Sequence, residues 1–196
     1  MLVGEVLQRT TFQAEGLGWP GQWSRADYCE ALDRASQKAA MLLRFCSNWT
    51  ADVTLPSGTS GLLLTPTPLL VLNVRNTMTL SRLLPTTEAF EDLMNPAWRD
   101  AMGIPTGWFQ ESGNMLRLNR RVPADTTYSA QVIEAPLPMG QDTDPVDPRI
   151  PASVLQALHL GATGYLFLQA SDNQDLGKAT AYLKQFEEAV KGSPNV

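Results

Sequence analysis

The chain has 196 residues, of which 43% are apolar and 18% charged. That is enough to bury a core without disulfides or metal, and it excludes a mini-protein or a globally disordered polypeptide. Formal charge is -5, with 7 basic against 9 acidic residues in positions 1–98 and 8 against 11 in 99–196, so neither half reads as a basic nucleic-acid module. The longest apolar stretch, Gly61 to Val74, is interrupted by Pro66 and Pro68 and falls short of the roughly 20 residues of a membrane helix. The N-terminus lacks the positive region and small-residue cleavage site of a secretory signal, which predicts a cytoplasmic place of synthesis and assembly.

Glu5–Phe12 is a helical candidate, ended by Gly16, Gly18, Pro20 and Gly21. Ser24 then offers an N-cap, with Asp27 at the capping-box distance. Tyr28, Leu32, Ala35, Ala39, Leu42 and Cys46 follow at alternating spacings of four and three, which predicts one long helix. Cys29 and Cys46 would lie on that helix about 25 Å apart, which excludes an internal disulfide and leaves each as a small buried apolar residue. From Trp49 the pattern changes to short runs rich in Thr, Val and Leu between turn formers. Strands are predicted at Trp49–Leu55, Gly61–Thr65, Leu69–Arg75 and Thr77–Leu80. Thr86 or Thr87 caps a short helix to Met94, closed by Asn95-Pro96; strands follow at Trp108–Glu111, Met115–Asn119 and Thr127–Glu134. Ala135 to Pro151, with five prolines and Asp142, Asp144 and Asp147, reads as an irregular, solvated acidic linker. Pro151 suits a first helical turn, and an apolar segment runs from there to about Ala170. Any of Ser171, Asp172 and Asn173 can cap a last helix, whose stripe is Leu176, Ala179, Leu183, Phe186 and Val190. The class is α+β: a helical bundle from residues 1–48 and 150–196, with a β-rich insertion over 49–149.

The residues that carry chemistry are sparse. His159 is the only histidine and lies in an apolar helix, without a second histidine or a cysteine at ligand spacing, so a structural role is favoured over a metal or nucleophilic one. Gly58-Thr-Ser-Gly61 lacks the spacing and lysine of a phosphate loop. The linker aspartates lack the remaining ligands of a calcium loop. No catalytic residue, cofactor or metal is therefore assigned. Arg117, Arg120 and Arg121 form a compact basic cluster, with Arg117 and Arg121 on one strand face; pairing with neighbouring acids is favoured over phosphate contact.

The order of the pieces is more informative than any motif. Trp23-Ser24-Arg-Ala-Asp27 opens a long helix through Leu32 and Ala35. Gly61-Leu-Leu-Leu-Thr-Pro-Thr-Pro-Leu-Leu-Val-Leu-Asn-Val-Arg75 follows, then Asn95-Pro96-Ala97-Trp98-Arg99 with Gly103-Ile-Pro105, and Met115-Leu-Arg-Leu-Asn119. A strand of the Tyr128–Glu134 kind ends at Pro136, Asp142-Thr-Asp144-Pro145 leads to Ile150-Pro151, and a helical hairpin closes with Ala181-Tyr182 and Phe186. In this order, from Trp23 to about Val190, the chain resembles the head-to-tail adaptor proteins of tailed bacteriophages and phage-like gene transfer agents. The expected Leu-Pro-acid segment is here Thr65-Pro66-Thr67-Pro68.

The resemblance implies a non-enzymatic virion protein: a ring of about twelve copies that docks beneath the portal protein, meets stopper or tail proteins below, and lets DNA pass without specific binding. It also implies a portal contact through the final helix and tail, with Phe186 and Val190 as apolar anchors and Lys184, Glu187, Lys191 and Val196 around them. A second candidate surface is Trp98, Trp108, Arg117, Arg120 and Arg121. The competing readings are a stopper or tail-terminator ring protein of the same neck, which the C-terminal helical hairpin disfavours, and a small carboxylate-dependent hydrolase.

Overall fold

A computed structural model describes residues 2–16, 22–140, 144–169 and 175–192. The class is α+β, with five helices and eight strands among the described residues. The chain divides into two compact units, Met1–Cys46 with Ala135–Val196, and Ser47–Glu134.

The first unit is helical. Helix α1 (Val3–Glu15) begins with the Leu2 N–H donating to the Glu5 carboxylate at 3.0 Å. Helix α2 (Arg25–Leu43) has the capping box expected from its sequence: Ser24 Oγ accepts from the Asp27 N–H at 3.3 Å, and Asp27 accepts from the Ser24 N–H at 2.7 Å. It ends sooner than the apolar stripe predicts. Arg44 turns left-handed at φ 59° and donates to the Ala40 carbonyl, so Cys46 lies beyond the helix rather than on it. Neither cysteine is in a disulfide; Cys46 is buried and Cys29 half-buried.

Helix α4 (Ala152–Gln169) packs on α1, on α2 and on α5 (Leu176–Lys191). A helix touched on several sides must be apolar nearly all round, and α4 is, with Val154, Leu158, Ala162, Leu166 and Phe167 all buried. Each of these valine, leucine and phenylalanine side chains contributes about 1.5–3 kcal/mol by its burial. The buried Thr163 is satisfied locally, donating to the His159 carbonyl at 2.7 Å. Trp23 stands edge-on to Phe167, with ring centres 5.5 Å apart. The α5 cap is Asp175, which accepts from the Lys178 N–H at 2.9 Å; the expected caps at 171–173 lie outside the described residues.

The 135–151 segment has no regular element among its described residues, but it is not simply solvated. Asp142 lies outside the described residues, whereas the Asp147 side chain is only 1% exposed. It accepts from the Leu137 and Arg149 N–H groups, both at 2.9 Å, and from Arg149 Nη2 at 2.8 Å. These three partners compensate for burying its charge, and the Arg149 guanidinium holds its pKa down at about 2. Asp33 of α2 accepts from the Met139 N–H at 2.8 Å, which fixes the same segment to the helices.

The second unit is a curled mixed sheet. Its strands are β1 (Ser47–Trp49), β2 (Val53–Leu55), β3 (Gly61–Leu63), β4 (Leu70–Asn76), β5 (Arg82–Pro85), β6 (Gly107–Ser112), β7 (Met115–Leu118) and β8 (Thr126–Ile133). The order is β1-β8-β4-β5-β6-β7-β3, with β2 also on β8; all pairs are antiparallel except β5 with β6. One face, with Val74, Leu83, Leu116, Leu118, Tyr128, Ala130 and Val132, forms the core of this unit.

Two departures from the predicted strands have side-chain causes. The expected strand Trp49–Leu55 is split into β1 and β2. Thr50 Oγ1 takes the Ala130 N–H at 3.0 Å in place of a backbone carbonyl, and the chain then steps outward before pairing again. The expected strand Thr77–Leu80 is a turn, because Asn76 Oδ1 accepts from the N–H groups of Met78 and Thr79 at 2.9 and 3.0 Å. The returning strand is β5, which the sequence pattern did not mark. The short helix α3 (Glu88–Met94) has its predicted cap, with Thr87 Oγ1 accepting from the Phe90 N–H at 3.2 Å, and it ends at Asn95.

Candidate functional site

No group of three or more His, Cys, Asp or Glu side chains gathers at metal-binding geometry among the described residues. No described helix is long and apolar enough to cross a membrane. His159 is half-buried, and burial lowers its pKa, so it is neutral at pH 7. What the molecule presents is surface.

On α5 the expected apolar anchors are corrected. Phe186 and Val190 are fully buried in the core of their own unit, because α4 takes the stripe that sequence reasoning left available to a partner. The charged residues remain outside. Glu187 receives Lys38 of α2 at 3.2 Å and Lys191 at 3.3 Å, and these two cations lower its pKa. Lys184 is 77% exposed, 3.9 Å from Glu188. Val196 lies outside the described residues.

The second expected surface is also rearranged. Trp98 is 1% and Trp108 6% exposed, so both are core residues. Trp98 stands edge-on to Phe109 with ring centres 5.5 Å apart, and its indole N–H donates to Asp92 at 2.8 Å. The arginine cluster does not act as one strand face, because β7 ends at Leu118 and the chain bends after it. Arg117 makes a fork with Glu111, Nη2 at 2.8 Å and Nε at 3.0 Å. Arg121 reaches Asp100 at 2.7 Å and the Arg99 carbonyl at 2.9 Å. Arg120 lies across Gly103, whose Cβ, if present, would come within 3.2 Å of its Nη1. The sequence preference for acid pairing over phosphate contact thus matches the geometry of Arg117 and Arg121.

One surface escaped the sequence reading. In α3 the single buried residue is a glutamate, Glu91, while Phe90, Leu93 and Met94 are 53%, 79% and 65% exposed. These three sit at i, i+3 and i+4, one face of the helix. Of the polar face only Glu91 points inward, where the Asn119 amide lies 3.4 Å from it, while Arg99 ties Glu88, at 2.5 Å, to Asp92 at the surface. Asn119 also accepts the N–H groups of Thr106 and Gly107, both at 3.0 Å. An amphipathic helix normally buries its apolar face; α3 is inverted. The i, i+3, i+4 triplet was visible in the sequence, but by itself it reads as core.

A family model described as "SU10 adaptor protein" matches residues 1–193. The chain belongs to that family and is a structural adaptor protein of phage particles, a component of the virion. No curated protein matches it.

Proposed function

We propose that this member of the SU10 adaptor family forms the neck ring that docks beneath the portal, joins the DNA-filled head to the tail, and lines the channel through which DNA leaves. The observation that carries this reading is the family match over residues 1–193. About twelve copies make up the ring, each packing heterologously on the next. The helical unit is the ring body, with the strand-rich residues 47–134 inserted in it, and the role is mechanical, without a chemical step.

Electrostatics support the channel role. A charge of -5 per chain, repeated around a ring, gives an acidic collar to which the DNA phosphates do not adhere. The portal contact runs through the exposed charges of α5, Lys184, Glu187 and Lys191, and the tail that follows, with Val196 at its end. Phe186 and Val190 act behind it as packing. Arg117, Arg120 and Arg121, in the same unit as Trp98 and Trp108, are the alternative place of the portal contact.

The test is a pull-down of the purified chain with portal, followed by electron microscopy of the complex. A ring stacked on the portal is expected. A chain ending at Lys191 retains Phe186 and Val190, so it should melt normally while binding portal less tightly. Failure to bind portal together with binding to a tail tube would replace this reading with a tail-terminator role, and turnover of ester, glycoside or phosphate substrates would replace it with an enzyme.

A further inference from the structure

We propose that the hairpin joining β4 to β5 is a docking surface for a different protein of the virion, one that offers an apolar socket to Met78 and Leu80 and carboxylates to Arg82. Only the virion setting is needed for this, so its failure and that of the portal reading are separate.

The tip of the hairpin is apolar and fixed. Met78 is 80% and Leu80 66% exposed. The backbone beneath them is held from two sides. The Asn76 N–H donates to the Ser81 carbonyl at 3.0 Å, and Thr77 donates through its N–H and its hydroxyl to the Thr127 carbonyl of β8 at 2.9 and 3.1 Å. Leu80 is left-handed, at φ 57°. That region crowds the Cβ of an L residue and suits glycine, so leucine costs stability there. A strained, exposed leucine on a fixed turn is of use where the direction of its side chain matters. A protein socket of set shape needs that direction, whereas a fluid lipid surface does not.

The base of the hairpin is cationic without counter-charge. Arg75 of β4 and Arg82 of β5 lie directly opposite in the strand pairing, where like charges repel. Arg75 reaches the other way, toward β1 and β8, with its guanidinium 3.9 Å over the Trp49 ring and its Nε donating to Ser129 at 3.1 Å. Arg82 is exposed and makes no ion pair among the described residues, whereas Arg99, Arg117 and Arg121 of the same unit each hold a carboxylate. From Val53 to Thr87 the sequence contains no acid. The acids that flank this stretch on the sheet are engaged, Glu88 with Arg99 and Asp125 with the Ser57 N–H. A partner that brings carboxylates therefore relieves a repulsion present in the free chain.

A second copy of this chain is poorly suited to supply them. Among the described side chains, every carboxylate except Asp52 already has a partner in its own chain. The complement comes from a different protein.

Intact particles test this, because they hold every partner. Oxidation of Met78 by hydrogen peroxide is followed by peptide mass spectrometry in the free chain and in particles. Sulfoxide formation at least tenfold slower in particles is expected; equal rates would overturn the proposal. Particles carrying Arg82→Lys are then treated with a zero-length carbodiimide, which joins an amine to a carboxylate in contact with it. An amide to a different virion protein is expected; a link only to another copy of this chain, or none, would overturn the proposal. If that variant does not enter particles, the peroxide comparison still decides. Leu80→Gly should raise the melting temperature of the free chain by about 2–4 °C through relief of the left-handed leucine. In particles it should let Met78 oxidise at least tenfold faster than in unmodified ones. A lower melting temperature or unchanged protection would count against the proposal and overturn it. So would sedimentation of the free chain with vesicles of equal phosphatidylserine and phosphatidylcholine, since the tip would then serve a lipid surface.

Discussion

Gly161 of α4 lies directly beneath Phe186 of α5. A Cβ at Gly161 would come 3.0 Å from Phe186 Cγ and, on the other side, 2.9 Å from Ala35 Cβ of α2. Two neighbours thus use the missing side chain at once, and three helices approach as closely as they do because of it. Glycine in a helix costs about 1 kcal/mol relative to alanine, but here relief of that cost is outweighed by the collision. Gly161→Val should lower stability by about 2–3 kcal/mol through overpacking, measured as a fall in denaturant midpoint. An unchanged midpoint would mean that α5 shifts freely on α4.

Asp147 makes a pH-dependent contribution. Its pKa is about 2 in the folded chain against 3.8 for the ordinary carboxylate. A depressed pKa stabilises above the unfolded value and loses that effect as the pH falls through the folded one. About 2 kcal/mol should therefore be present above pH ~4 and disappear by pH ~2. Asp147→Asn should flatten that part of the stability profile, and a variant with the wild-type acid slope would assign the slope to other carboxylates.

Asn119 binds the loop before β6 from inside the sheet unit. Its Oδ1 accepts two backbone N–H groups at 3.0 Å and its amide lies 3.2 Å from Thr106 Oγ1. Asn119→Leu leaves those amides without an acceptor and should cost about 2–3 kcal/mol. Tryptophan fluorescence should report the loss in the unit that contains Trp49, Trp98 and Trp108. A normal transition in that signal would show that water replaces the side chain.

Ser24→Ala removes the acceptor for the Asp27 N–H at the start of α2. The expected loss is about 1 kcal/mol, read from thermal unfolding of the helical signal near 222 nm. Asp27→Asn keeps an acceptor for the Ser24 N–H and should cost less. Equal losses from the two substitutions would place the energy in charge at the helix start rather than in the hydrogen bond.

Local chemistry was legible in the sequence wherever one or two turns of chain decide the outcome. Ser24 and Thr87 announce their helix starts because a cap is a contact across three residues, and the stripes of α2 and α5 announce a buried face because helical period is a local property. The same period could not say what covers a stripe. Phe186 and Val190 look like anchors for a partner until α4 is in place, and Trp98 looks like surface until Phe109 and Asp92 close on it. Strand pairing was equally hidden: whether Thr50 continues a strand or breaks it depends on Ala130, eighty residues away. The exposure of Phe90, Leu93 and Met94 belongs to the same class. A triplet at i, i+3 and i+4 states only that one face is apolar. Which face turns inward is decided by Asn119 and Arg99 reaching α3 from elsewhere in the chain, and burial, unlike periodicity, is a property of the whole fold.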